Sequence, residues 1–274
     1  MRFLPPGFLA LALLAAPHVA RADDLLDATR HARQLCASRA PQLRPRPQLD
    51  EAARRLSQGA KLDDALQASG YRSQRSYQWR LSGYANPQAV AQALVQGHCK
   101  TLGDAAMADV GTYRQGNQYW IVAAQPFDPP AAEQAGDVAG RVLALVNQAR
   151  AQPRTCGNRA FNPAPPVALD AALGRAAAVH AQSMAQFGYL EHEGRDGSSP
   201  ADRASRAGYR WRSIAENIAM GQTTPERVVH DWLRSPEHCV NIMDPRFVHM
   251  GVAFTVNTAS EGGIYWAQSF GRPM

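Results

Sequence analysis

The sequence predicts an α+β protein built from two tandem copies of one unit, with helices first and an antiparallel pair of strands closing each copy. Two observations predict this class. Landmark residues recur in the same order in both halves of the 274-residue chain. In the second half, helical periodicity gives way to two strand patterns near the C-terminus. A chain of this length has room for two medium-sized domains.

The N-terminus has the pattern of a secretory signal peptide. Arg2 is followed by an apolar run over residues 8–16 and by the small-x-small triplet Ala20-Arg21-Ala22. The run is too short to span a bilayer, which takes about 20 apolar residues, and no later segment approaches that length. We therefore expect a signal peptide over residues 1–22 and an exported mature protein, periplasmic or extracellular, without a transmembrane segment.

The charge of the chain gives little sign of a nucleic-acid partner. The formal net charge is +6, and lysine occurs only at Lys61 and Lys100, so arginine supplies nearly all the positive charge. The arginines are neither clustered in a stripe nor interleaved with aromatic residues. We interpret them as solvated surface charge and expect no nucleic-acid partner.

The landmarks of the two halves indicate a duplication. A first group recurs 120 residues later without a gap: Arg30, Cys36, Leu49-Asp50 and Arg55 match Arg150, Cys156, Leu169-Asp170 and Arg175. A later group has a larger offset: Gly70-Tyr71-Arg72, Gly83, Pro87, His98-Cys99, Gly111 and Tyr119-Trp120 match Gly208-Tyr209-Arg210, Gly221, Pro225, His238-Cys239, Gly251 and Tyr265-Trp266. The larger offset indicates an insertion of about 18 residues in the second copy. We expect copies over 23–127 and 137–274, joined by a proline-containing linker over 128–136.

The four cysteines predict two disulfides in an oxidising compartment, and four cysteines allow three pairings. Because each copy holds one early and one late cysteine at equivalent places, the repeat favours Cys36 with Cys99 and Cys156 with Cys239. Each bond would contribute on the order of 4 kcal/mol by constraining the unfolded chain.

The elements of the second copy follow from periodicity and capping residues. Apolar stripes over 142–149 and 169–184 predict two helices. Three further helices are predicted where serine or threonine precedes proline, at Ser199-Pro200, Thr224-Pro225 and Ser235-Pro236. Strands are predicted at 250–256 and 264–268, joined by a Gly262-Gly263 turn.

A set of motifs spans nearly all of residues 137–274: Phe187-Gly188-Tyr189-Leu190-Glu191-His192, Asp196-Gly197, Arg203, Ala207-Gly208-Tyr209, Ala215-Glu216-Asn217-Ile218-Ala219, Trp232-Leu233-Arg234-Ser235-Pro236-Glu237-His238, Asn241-Ile242-Met243 and Gly251-Val252. On these motifs the second copy resembles the CAP superfamily of cysteine-rich secretory, antigen 5 and plant pathogenesis-related proteins, in its bacterial form. The resemblance implies an α-β-α sandwich in both tandem copies. It also implies a cleft with two histidines and two acidic residues, which binds a divalent metal in several members. By motif position, His192, Glu216 and His238 are three of these four residues.

The fourth position departs from the family pattern. Ser235 stands where the animal and plant sequences have a glutamate after Trp232, and the motif does not assign Glu237 to that role. His192 and His238 remain as metal ligands, whereas catalytic zinc sites usually have three protein ligands. We expect zinc or another divalent metal to bind weakly, or the trio to form a metal-free polar cluster.

Several other residues have ordinary structural interpretations. Ser235 lies near His238 in the sequence, but Ser-Pro-Glu is a common helix start, so we expect an N-cap there and no nucleophile. His180 lies on an apolar stripe and is interpreted as a hydrogen-bonded core histidine. For Asn217 and Gln268, a place in the cleft and a capping role both stay open.

The first copy keeps little of the site. Gln78 aligns with Glu216, His98 aligns with His238, and the insertion that carries His192 has no counterpart. We expect a degenerate CAP-like domain with a structural or partner-binding role.

Function is predicted only at the level of class, because one fold hosts many activities. The leading interpretation is a non-enzymatic secreted binding module whose polar cleft takes a cell-envelope, peptide or lipid ligand. One alternative is a metal-dependent, peptidase-like hydrolase with Glu216 as general base. The other is a lipid carrier with an apolar groove, as proposed for relatives of the family.

Overall fold

A computed structural model describes residues 22–274. The predicted signal peptide lies outside the described residues except for Ala22, where the first helix begins. Contacts divide the chain into two compact units between Pro126 and Phe127, one residue before the predicted end of the first copy. The predicted linker is shorter than expected, because the first helix of the second unit begins at Ala135.

The first unit, unit 1, is a four-stranded sheet with helices on both faces. Its elements are α1 (Ala22–Cys36), β1 (Arg44–Pro45), α2 (Pro47–Ser57), α3 (Leu62–Ala68), β2 (Ser73–Ser82), α4 (Pro87–Leu102), β3 (Asp109–Gln115) and β4 (Gln118–Pro126). The strand order is β1-β3-β4-β2, and the β1–β3 pair alone is parallel. Side chains of α1 and α4 share one core cluster with β4, and those of α2 and α3 share another with the alternate residues of β4.

The second unit, unit 2, has the same plan with a longer middle. After a 3-10 turn (Ala132–Gln134), its elements are α5 (Ala135–Arg150), β5 (Arg154–Cys156), β6 (Arg159–Phe161), β7 (Ala168–Leu169), α6 (Ala171–Phe187), α7 (Pro200–Arg206), β8 (Trp211–Met220), α8 (Pro225–Arg234), α9 (Pro236–Met243), β9 (His249–Asn257) and β10 (Gly263–Pro273). The main sheet has the order β7-β9-β10-β8, and β5 pairs with β6 separately. Helices α5, α8 and α9 pack on one face and α6 on the other. Unit 2 is therefore the expected α-β-α sandwich.

The proline-led helices begin where the sequence predicts. The Ser199 hydroxyl and the Asp202 carboxylate form a capping box at α7, and the Thr224 hydroxyl accepts from the Arg227 N–H at α8. Ser235 occupies the N-cap position of α9, but its side chain makes no capping bond, so that part of the prediction is wrong. The reason is that Ser235 also ends α8, and its own backbone N–H closes that helix onto the Asp231 carbonyl.

One glycine in each unit allows a helix to lie directly on the sheet. A Cβ at Gly111 would lie 2.0 Å from the Leu49 carbonyl carbon, and one at Gly251 would lie 2.2 Å from both the Leu173 carbonyl carbon and the Gly174 nitrogen. The two glycines match as predicted. Their helix contacts, however, match Leu49 with Leu173, four residues beyond the predicted partner Leu169. Leu169, which was predicted to lie on the helix, lies in β7, and α6 begins at Ala171. Because the four-residue spacing of Leu169 and Leu173 fits helical periodicity, the apolar stripe did not reveal the error.

A buried arginine also occupies equivalent places, and the predicted pairing of Arg30 with Arg150 is wrong. Arg150 donates to the carbonyls of Ile242 and Phe247, among others. In unit 1 the guanidinium with the same role belongs to Arg33, which donates to the carbonyls of Leu102 and Met107. Arg33 lies three residues after Arg30, close to one helical turn away.

The predicted match of Tyr119-Trp120 with Tyr265-Trp266 is also wrong, by one residue. Gly111 pairs with Val122 in β4, whereas Gly251 pairs with Ser269 in β10. Trp120 accordingly packs with α2, while Trp266 packs with α5, α8 and α9. A one-residue shift along a strand moves a side chain to the opposite face.

Both predicted disulfides are present. Cys36 is bonded to Cys99, and Cys156 is bonded to Cys239. They close loops with separations of 63 and 83 residues. Disulfides of this kind persist in oxidising compartments, which supports export. Within residues 22–274, the helices are all too short or too polar to cross a bilayer.

Candidate functional site

Three elements of unit 2 carry the predicted site residues. His192 lies in the loop between α6 and α7, Glu216 lies in the middle of β8, and His238 lies in the first turns of α9. The loop leaves α6 through Gly188, whose φ of 65° is in the left-handed region that suits glycine. The three predicted site residues thus come from a loop, a strand and a helix of the same unit.

Glu216 and His192 are in direct contact. The Nδ1 atom of His192 lies 3.0 Å from Oε1 of Glu216. A carboxylate only accepts, so Nδ1 is the donor in this contact and Nε2 is the ring nitrogen left for other partners. The His192 side chain is 52% exposed, whereas that of Glu216 is 2% exposed. Glu216 therefore fixes the orientation of an imidazole that is open to solvent.

Arg203 is a member of the site that the sequence analysis missed. Its Nη2 donates to both carboxylate oxygens of Glu216, at 3.0 and 2.8 Å, and the two side chains are 4% and 2% exposed. The same guanidinium donates to the carbonyls of His192 and Ser198. Arg203 thus neutralises Glu216 and anchors the loop that carries His192. The sequence signal was its place among the family motifs, without an indication of its contact.

His180 is the buried histidine that its apolar stripe predicts, and it also lies behind the site. The residue is 0% exposed, and its Nε2 donates to the Glu191 carbonyl at 2.8 Å. Nε2 is also 3.7 Å from Oε1 of Glu216. Burial lowers the pKa of His180 and outweighs the opposing effect of Glu216. The ring is therefore neutral near neutral pH.

His238 is close enough to His192 for the two to interact electrostatically. Burial is the main cause that lowers the pKa of His238, the charge of His192 lowers it further, and Glu237 raises it. The Asn217 side-chain amide donates to the carbonyl of His238 and to Gln268, and it accepts from Asn241. Asn217 and Gln268 are fully buried. They form a network beneath the site that holds the backbone of α9 against β8.

The lowered pKa of His180 predicts a pH dependence of stability. Because the unfolded ring titrates near about 6.5, the unfolded state binds more protons than the folded state below that pH. We expect the stability contribution to be complete above about pH 6.5 and to be lost as the pH falls below it. When the pH is lowered from mildly alkaline to mildly acidic, the thermal unfolding temperature should fall less for His180→Gln than for the unchanged protein. Equal declines in the two proteins would contradict this assignment.

The comparison with protein families decides the identity of unit 2. Residues 143–270 match the model of the Cysteine-rich secretory protein family, CAP. Unit 2 is a CAP domain. A curated relative, the uncharacterised protein YkwD of Bacillus subtilis (strain 168), is 36% identical over 105 residues, which are 38% of this chain and 39% of YkwD. The chain thus spans well under half the length of that relative.

Three solved structures of bacterial proteins are similar to parts of this chain. An extracellular protein containing an SCP domain from Bacillus anthracis has a TM-score of 0.44 at 14% identity, over 78% of this chain and 72% of that one. An outer surface protein from Borrelia burgdorferi has a TM-score of 0.42 at 17% identity, over 53% and 96%. A cysteine-rich secretory protein from Staphylococcus aureus has a TM-score of 0.41 at 12% identity, over 60% and 55%.

The CAP domain has few donors for a metal. Among residues 22–274, His, Cys, Asp and Glu form no group of three or more arranged to hold an ion. Both oxygens of Glu216 already accept from Arg203. Ser235 ends α8 at the position of the missing acid, and Glu237 is exposed. Two imidazoles are left, which do not fit a site with three protein ligands.

Unit 1 lacks the site of the CAP domain. In unit 1, Val122 of β4 pairs with Gln78 on one side and Gly111 on the other. In unit 2, Ser269 of β10 pairs with Glu216 on one side and Gly251 on the other. Gln78 and Glu216 therefore occupy equivalent positions in the two sheets. Gln78 is exposed, and so is His98. The loop between α2 and α3 has only four residues, 58–61, against twelve, 188–199, between α6 and α7. The longer loop is the one that carries His192.

Proposed function

We propose that the chain is an exported binding protein, periplasmic or extracellular, whose CAP domain takes a polar cell-envelope ligand at the cleft of His192, Glu216 and His238 without chemical turnover. The ligand class is a peptide or the polar part of a lipid. The observation that supports binding over catalysis is the state of Glu216. Its carboxylate is buried, neutralised by Arg203 and hydrogen-bonded to His192.

A general base needs a free lone pair and a pKa near the working pH. Both oxygens of Glu216 accept hydrogen bonds from Arg203, Oε1 also accepts one from His192, and the side chain is 2% exposed, so the carboxylate is poorly placed to reach a substrate. His192 and His238 are better suited to recognition. Because His192 donates its Nδ1–H to Glu216, its Nε2 is the atom available to a ligand, and the side chain is half exposed.

We expect zinc to bind weakly at His192 and His238, with water completing the coordination. Calorimetric titration of the full exported chain with zinc chloride should give an affinity weaker than micromolar, and His192→Ala and His238→Ala should each abolish it. His230→Ala is the matched control, since His230 is an exposed histidine on α8 of the same domain. Equal losses in the control would show that zinc binds nonspecifically.

The unchanged protein and the two histidine variants also test the alternative function, a metal-dependent hydrolase. Zinc-dependent cleavage of casein or p-nitrophenyl acetate, abolished by both histidine variants, would replace the binding proposal with a peptidase-like hydrolase. Lipid found by mass spectrometry in the purified protein, unchanged in both variants, would favour the lipid carrier instead.

We propose further that unit 1 is a second, degenerate copy of the CAP domain. Supporting observations are the equal strand orders, the matched disulfides, and the glycines and buried arginines at equivalent places. Without counterparts of Glu216 and His192, unit 1 should not bind zinc. In an NMR titration with zinc chloride, we expect shifted amides around His192 and unchanged amides around His98. Zinc-induced shifts around His98 would contradict the loss of the site.

A further inference from the structure

A groove of about 580 Å³ lies between α1 and α4 of unit 1. Small-ligand sites typically have volumes of about 300–1,000 Å³. Ala28, Ala91, Val95 and Leu35 give the groove an apolar part, and Leu35 is 62% exposed. All of the residues that line the groove belong to unit 1.

One wall of the groove is a row of amides. Gln88, Gln92 and Gln96 line it from α4 at every fourth position. With a rise of 1.5 Å per residue, successive glutamines are about 6 Å apart along the helix. Alternate residues of an extended peptide are spaced by about 6.6 Å, and each glutamine amide both donates and accepts. The row therefore matches the main-chain groups of an extended segment.

The other wall is acidic. Asp24, Asp27 and His31 line it from α1, and neither lysine nor arginine is among the lining residues. This contrasts with the whole chain, which has 29 Lys and Arg against 23 Asp and Glu. Asp27 is 3.7 Å from Arg30, but its side chain is 74% exposed, so this pair contributes little and leaves the carboxylate accessible.

We propose that the α1/α4 groove binds an extended peptide segment with two basic side chains at alternate positions. The main chain of the peptide lies along the three glutamines, and its small side chains contact Ala28, Ala91 and Val95. The basic groups pair with Asp24 and Asp27, whose three-residue separation on α1 places their Cβ atoms about 5–6 Å apart.

The test uses the full exported chain, labelled with ¹⁵N, and the peptide acetyl-Ala-Lys-Ala-Lys-Ala-amide at low ionic strength. We expect the peptide to shift amides of α1 and α4, while acetyl-Ala-Glu-Ala-Glu-Ala-amide does not. Asp24→Asn/Asp27→Asn should weaken binding by about tenfold, the loss of two accessible charge pairs.

The matched control is Asp63→Asn/Asp64→Asn, which makes the same charge change at exposed positions on α3. The control should bind the lysine peptide as the unchanged protein does. Equal weakening by both double variants, equal shifts from the glutamate peptide, or the absence of shifts in α1 and α4 would each overturn the proposal. Zinc binding at the CAP domain should be the same in all of these proteins, so failure of the groove is distinguishable from failure of the cleft.

Discussion

Gly251→Ala is expected to destabilise unit 2 by at least about 3 kcal/mol, the upper part of the range for overpacked interiors. The new Cβ would lie 2.2 Å from two backbone atoms of α6, at Leu173 and Gly174. Real Cβ atoms do not approach that closely, and main-chain atoms cannot move aside as a flexible side chain does. The helix that carries His180 would have to leave the sheet. Urea unfolding followed by circular dichroism measures the loss.

The control for this prediction is a substitution at Gly174, on the helix side of the same contact between helix and sheet. A Cβ at Gly174, in α6, would meet nothing within 4 Å. Gly174→Ala should therefore stabilise the protein by about 0.5–1 kcal/mol through helix propensity. In unit 1, Gly111→Ala should be as harmful as Gly251→Ala, and Gly97→Ala in α4 is the harmless partner. A Gly251→Ala protein that unfolds at the same urea concentration as the unchanged protein would contradict the close approach.

The sequence predicted the order of helices and strands better than it predicted which residues of the two copies match each other. Helix caps and strand patterns are local signals, and they led to α7, α8, β9 and β10, but they did not predict β8, which carries Glu216. The disulfide pairing was predicted from the repeat. Matching the two copies residue by residue was less successful at Leu49, Arg30 and Trp120. A helix tolerates shifts of three or four residues because the same face returns. In a strand, a shift of one residue changes the face without changing the local sequence, so only the observed pairing reveals it.

The candidate site shows the same limit. Motif position identified His192 and Glu216, which the structure joins by a hydrogen bond. The contact of Arg203 with Glu216 was not predicted, because it depends on how α7 packs against β8. A buried carboxylate requires a counter-charge, so Glu216 implied some partner cation. The basic chain offers many arginines, and only the fold selects one.

Glu216→Gln should lower the free energy of unfolding by about 3–5 kcal/mol, because it leaves the Arg203 guanidinium buried without its counter-charge. Arg203→Met should cost a similar amount for the opposite reason. The double variant Arg203→Met/Glu216→Gln should be much less harmful than the two costs combined, since replacing both members removes both buried charges. Urea unfolding of the four proteins gives the coupling energy.

The exposed pair Arg141–Glu226 supplies the reference for that cycle. Its side chains are 55% and 54% exposed, so Arg141→Met/Glu226→Gln and its single variants should show coupling below about 1 kcal/mol. If the Arg203–Glu216 coupling were equally small, the guanidinium would not control the carboxylate. The contact with Arg203 would then give no reason to prefer ligand binding to hydrolysis at the site of His192 and Glu216. A large coupling instead leaves His192 and His238 as the groups that meet the ligand.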